Sequence, residues 1–143
     1  MDELANCSSA MFPARLSQLR QVGGFLEQFC TGSAITRERH LRLNVVLEEL
    51  FVNTVRHGHG GDCDAPIWIT LRARPDAAQV TYEDTAPPFN PYAHLPASLP
   101  DTTLEMRKVG VGGLGVLLTK ELADTRDYAY LFGRNRIRLL LKR

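Results

Sequence analysis

Several features that would commit a chain to a broad class are scarce or missing in these 143 residues. Charge of one sign is not in excess: 17 lysines and arginines face 16 aspartates and glutamates, a formal net charge of +1. That balance gives no reason to expect nucleic acid or an anionic membrane as the main partner, so binding is expected to be local. Cysteine is limited to Cys7, Cys30 and Cys63, an odd number that makes no disulfide framework. The first thirty residues have neither a basic start nor an uninterrupted apolar core, so no secretory signal is evident. No apolar run approaches the roughly 18 to 20 residues needed to span a bilayer. Internal repeats and low-complexity tracts are absent. The expectation is one domain over residues 1–143, soluble and cytoplasmic, large enough for a real core but too short for a second module.

What is present is a mixture of two periodicities. Leu16, Leu19, Val22, Leu26, Phe29 and Cys30 recur at helical spacing, which predicts a helix from near Ala14 to a stop at Gly32-Ser33 after a polar start. Thr36 is a suitable N-cap for a second helix through about His57, with Leu43, Val46, Leu47, Leu50 and Thr54 as its inward stripe. Gly58 to Asp64 reads as loop. Ile67, Ile69 and Leu71 then alternate with Trp68, Thr70 and Arg72, Pro75-Asp76 turns the chain, and Val80 to Glu83 returns as a partner strand. Pro87 to Lys108 holds five prolines and no sustained period, and reads as a long loop or lid. Leu114, Leu117, Leu118 and Leu122 mark a third helix, and Tyr128–Phe132 and Ile137–Leu141 flank Gly133-Arg134-Asn135 as a closing hairpin. The predicted order is helix, helix, strand, strand, helix, strand, strand. It suits an α+β two-layer sandwich, a largely antiparallel sheet with helices on one face.

Three segments carry the candidate chemistry. On an α-helix Glu49, Asn53, Arg56 and His57 stand at i, i+4, i+7 and i+8 and share a polar face beside the leucine stripe. That face is either solvated or a site; Glu49 has an amide at i+4, which its neighbour Glu48 lacks. Asp84 ends a strand where the chain turns sharply, as an Asx-turn or as an acceptor for an exocyclic amine. Gly110, Gly112 and Gly115 satisfy G-x-G-x-x-G, but the polar segment before them is no buried strand, so the dinucleotide-fold context fails. Glycines opening a helix still offer backbone N–H groups to phosphate oxygens; the alternative is a flexible linker. His57, His59, Asp62 and Cys63 match no closed zinc spacing, and no Ser-His-Asp arrangement or nucleophilic cysteine can be argued.

Taken in order, these segments resemble the GHKL (Bergerat-fold) ATPases, specifically the small anti-sigma-factor serine/threonine kinases of the RsbW and SpoIIAB type. "LEELFVNTVRHG" is similar to the family's N box, "YEDTAPPFNP" to its first glycine box and "GVGGLGVLLTKELAD" to its second; "GRNRIRLLL" resembles the last hairpin. The resemblance runs from about Leu41 to the C-terminus. It implies ATP and Mg²⁺ as cofactors, Glu49 as general base, Asn53 as the Mg²⁺ ligand and His57 near the phosphates. It further implies that Asp84 accepts from the adenine amine, that Gly110, Gly112, Gly113, Leu114 and Gly115 wrap the triphosphate, and that Phe89 and the lid line the adenine pocket. Asn135 falls where many relatives carry a strand Thr beside that Asp. One departure stands out: Ala86 replaces the glycine usual two residues after the Asp and adds a methyl near the nucleotide. The implied activity is phosphorylation of an anti-anti-sigma (STAS) partner by a homodimer that also sequesters a sigma factor. Arg15, Gln18 and Arg20 on helix one offer a partner surface. The rivals are an ATP-responsive binding module without phosphotransfer, and the catalytic domain of a histidine kinase, against which stands the lack of a preceding dimerisation helix with a phosphoacceptor His.

Overall fold

Period-two alternation builds the sheet. In β2 (Pro66–Arg74) Ile67, Ile69 and Leu71 are completely buried while Trp68, Thr70 and Arg72 face the other way, and in β3 (Ala77–Asp84) Val80 and Tyr82 repeat the pattern. The computed structural model describes residues 6–93 and 113–142, and in it these two strands join at the Pro75-Asp76 turn. β5 (Arg134–Lys142) pairs with β3, placing Leu139 and Leu141 on the buried face, and β4 (Thr125–Leu131) closes that edge. The five-stranded sheet has the order β1-β2-β3-β5-β4 and is antiparallel throughout.

Its first strand, β1 (Cys7–Pro13), was not expected from sequence, where this stretch reads as a polar start. Cys-Ser-Ser-Ala has weak β-propensity, and the strand exists because its backbone pairs with β2 from Cys7↔Arg72 to Pro13↔Pro66. Only Phe12 of its side chains is fully buried, as suits an edge.

Three helices cover one face. α1 (Leu19–Gly32) is preceded by a 3₁₀ turn at Leu16–Gln18, so helix one begins later than Ala14, whose backbone instead pairs with the loop at Cys63 and Ala65. α2 (Arg37–Asn53) starts where expected: the Thr36 hydroxyl accepts from the Arg39 N–H at 3.3 Å. It does not run as α-helix to His57, because Thr54–Gly58 widens into a π turn. α3 (Gly113–Leu122) packs on α2. Leu26, Leu43, Leu47, Leu50 and Phe51 from the helices meet the strand leucines and isoleucines in one core. Burial pushes the Cys30 thiol up to about 11, so it stays protonated and unreactive at neutral pH. No helix among the described residues is long and apolar enough to cross a membrane.

The closing hairpin turns at Phe132-Gly133, both at positive φ (53° and 78°), as a type I′ connection requires. Asn135 is therefore not in the turn, where the local pattern put it, but inside β5 with Asp84 as its Cα partner, the strand position that the family resemblance implies. β3 and β4 also begin earlier than expected, at Ala77 and Thr125.

Candidate functional site

The end of β3 places a carboxylate in the interior. Asp84 is 8% exposed, and each of its oxygens has a donor: Thr54 Oγ1 bonds Oδ2 at 2.7 Å, while the Ala86 N–H and Asn135 Nδ2 bond Oδ1 at 3.2 and 2.9 Å. A buried carboxylate without donors would be strongly disfavoured, and these three bonds compensate its burial. A carboxylate has about four lone-pair positions, so one further donor can still be accepted. Asp84 is thus both an Asx-turn, through Ala86, and an available acceptor.

Asn135 organises the surrounding loop. Its Nδ2 also reaches the Ala86 and Pro87 carbonyls at 2.9 and 3.2 Å, and its Oδ1 accepts from the Phe89 N–H at 3.0 Å and the Tyr128 hydroxyl at 2.5 Å. One buried amide therefore holds the chain from Ala86 to Phe89 against the sheet.

Beneath Asp84 lies a second network. The Thr54 hydroxyl is 2.7 Å from Tyr82 Oη and 3.1 Å from the Leu50 carbonyl, which Tyr82 Oη also reaches at 3.1 Å. Burial raises the Tyr82 pKa well above its ordinary value, so this phenol remains a donor. Thr54, Tyr82 and Tyr128 were not identified as site residues from sequence. A threonine within the leucine stripe was the one available signal; the two tyrosines looked like ordinary strand residues.

These groups border a cavity of about 390 Å³, within the roughly 300–1,000 Å³ of small-molecule sites. Its polar lining is Asn53, Thr54, His57, Tyr82, Asp84 and Asn135; its apolar lining includes Leu50, Ala86, Pro87, Pro88, Phe89 and Ile137. Phe89 is 61% exposed, at the border of the cavity. Ala86 is buried, and a Cβ at Gly58 would come within 2.9 Å of its methyl, so Ala86 fits because position 58 lacks a side chain.

The polar face expected for the N-box helix is divided. Asn53 and His57 line the cavity, Arg56 is exposed and does not, and Glu49 lies at the seam between α2 and α3. The π turn is the cause of part of this, since it breaks the 3.6-residue period on which a shared face depends. Glu49 is half-buried and Glu48 exposed. A Cβ at Gly115 would overlap the Glu49 carboxylate, with the Cδ atom 2.9 Å away; glycine at 115 leaves the carboxylate its space. Gly113, Leu114 and Gly115 belong to the first turn of α3, not to a loop before it. Gly110, Gly112 and the lid after Ala93 lie outside the described residues.

The loop at Gly58–Asp64 has a structural task. Asp62 Oδ1 accepts from the Leu16 N–H at 2.9 Å, and Asp64 pairs with Arg15 at 2.7 Å. No group of three or more His, Cys, Asp or Glu side chains able to hold a metal occurs among the described residues.

An antiparallel sheet, helices on one face and a carboxylate-based cavity at the sheet end define a nucleotide-binding α+β domain. Residues 12–141 match the histidine kinase-like ATPase domain, and the chain belongs to this family, the GHKL class of ATP-binding, kinase-like domains. Among solved structures it is similar to the catalytic domain of the histidine kinase ThkA, with 14% identity and a TM-score of 0.50 over 94% of this chain and 97% of that one, a likeness of fold. No curated protein matches the chain.

Proposed function

We propose that the chain is an ATP- and Mg²⁺-dependent serine/threonine protein kinase that phosphorylates an anti-anti-sigma (STAS) partner, and that as a homodimer it holds a sigma factor when that partner is not available. The observation that carries the nucleotide part is the Asp84 cluster: a buried carboxylate with one acceptor position left, between an apolar wall and Asn135. The apolar wall suits the faces of a purine, and the carboxylate suits its amino group. The first turn of α3 supplies N–H groups that have no partner within the helix, of the kind that bind phosphate oxygens.

A carboxylate, Glu49, near the α3 N-terminus can take the proton from a serine or threonine hydroxyl of the partner. As the hydroxyl oxygen bonds the γ-phosphorus, the bond to the bridging oxygen breaks and ADP leaves. Asn53 lines the cavity and offers a hard oxygen ligand. With no group of three metal-ligating side chains among the described residues, Mg²⁺ would be held by Asn53, water and the nucleotide's own phosphates, its usual mode of binding. Bound there, the ion would neutralise phosphate charge.

The decisive experiment incubates the chain with labelled ATP, Mg²⁺ and a purified STAS protein and measures phosphate on the partner. Nucleotide binding without transfer would instead favour an ATP-responsive binding module, a reading favoured by the position of Glu49 outside the cavity lining. For the metal, Asn53→Ala is expected to bind ATP with less dependence on Mg²⁺. Calorimetry with Mg²⁺ and with EDTA checks this, and an undiminished Mg²⁺-dependent gain would leave Asn53 a structural residue.

A further inference from the structure

The side of the sheet away from the helices concentrates positive charge that the composition hides. Strand alternation puts Arg72 and Arg74 of β2 and Arg134, Arg136 and Arg138 of β5 on this one face, in a chain whose formal net charge is +1. Among the described residues Glu83 and Asp127 oppose them there, each 3.8 Å from an arginine, and Asp76 lines a neighbouring groove with Arg74 and Arg138. The Arg72 and Arg138 side chains have neither a hydrogen bond nor an ion pair among the described residues. Between them runs a groove of about 270 Å³, lined also by Thr70, Arg74, Gln79 and Thr81. Five like charges on β2 and β5, the two strands that flank β3, raise the positive potential of this face, so fold stability gives no reason to gather them.

We propose that this open face docks an acidic polypeptide segment whose carboxylates pair with Arg72 and Arg138 across the groove. Guanidinium forks match carboxylates in bidentate geometry, and Gln79 and the two threonines supply further polar contacts. A second copy of this face is disfavoured as occupant, because arginine would meet arginine. Single-stranded nucleic acid is disfavoured too: it uses aromatic platforms for its bases, and the one aromatic ring here, Trp68, is covered by the Arg134 guanidinium at 3.5 Å. The proposal is independent of the nucleotide reading, since the cavity lies on the helix side.

Trp68 is the chain's one tryptophan, so its emission reports on this face directly. The full chain is titrated at low salt with a labelled decaglutamate peptide, following peptide anisotropy and Trp68 emission together. Saturable binding is expected, with a concurrent emission change. R72E/R138E should weaken it about tenfold or more, R72Q/R138Q less, both with a thermal midpoint no lower than that of the native chain. The proposal is overturned if decaglutamate does not bind, if both double variants bind it like the native chain, or if Trp68 does not respond. A twelve-residue oligodeoxythymidine that binds as tightly would overturn it in favour of nucleic acid. ATP affinity should be the same throughout, so a failed nucleotide site and a failed docking face give different results.

Discussion

Glu49→Gln is expected to lower phosphotransfer to the partner by roughly 10²- to 10⁴-fold, the usual cost of removing a general base. Glutamine keeps the shape beside Gly115 but cannot take a proton, and Glu49 does not line the cavity, so ATP affinity should change little. Glu48→Gln, one residue away and exposed, is the control. The seam suggests a stricter check. In Gly115→Ala the new methyl displaces the carboxylate, which is the mobile end of a side chain, so the fold should survive while transfer falls. Two substitutions that disable the same group should not add, and the double variant should be no slower than the worse single one. Full activity in Glu49→Gln, measured as phosphate incorporated per minute, removes Glu49 from the chemistry; additive losses would show that Gly115 acts by another route.

The second large effect is expected at Asp84. Losing a charge-assisted hydrogen bond costs about 1.5–3 kcal/mol, or roughly 10- to 150-fold in affinity. Alanine is a poor probe, because it takes one bond each from Thr54 and Asn135 and leaves the buried Ala86 N–H without its acceptor, which costs stability as well. Asp84→Asn is cleaner. Its oxygen can keep the bonds from Ala86 and Asn135, and its amide can donate to Thr54, whose hydroxyl then turns to the Leu50 carbonyl at 3.1 Å. The remaining amide hydrogen faces the adenine amine donor to donor. ATP affinity should therefore fall by about that factor, and the preference over GTP should shrink, since the guanine 6-oxo group accepts a hydrogen bond. Isothermal titration with both nucleotides decides it: undiminished ATP affinity in a folded Asp84→Asn protein would take Asp84 out of the site.

Much of this arrangement was legible before any coordinates. The capping Thr36, the leucine stripe of α2, the alternation in β2 and β3 and the position of Asp84 at a strand end all follow from local pattern, because burial of one face imposes a period that short stretches already display. Asn53, His57 and Phe89 were placed at the site by motif, and all three line the cavity. The strand β1 was invisible because its stability comes from β2 across the chain, not from its own residues. The departure of Arg56 from the N-box face was invisible because nothing in the local pattern signals that Thr54–Gly58 widens into a π turn.

The same contrast holds for individual side chains. The sequence by itself determined which residues are apolar at which period, and with that the α+β class, the helices, four of the five strands and a carboxylate at the end of β3. Only the tertiary structure decided that Asn135 ties the chain from Ala86 to Phe89 to β5, that Thr54 and Tyr82 support Asp84 from below, that Glu49 rests against Gly115, and that five arginines share the uncovered side of the sheet. Each of these is a contact or a juxtaposition between residues far apart in the chain, joined by strand register and helix packing. Local pattern carries the period of an element, while register and packing emerge only when all elements bury their apolar faces together.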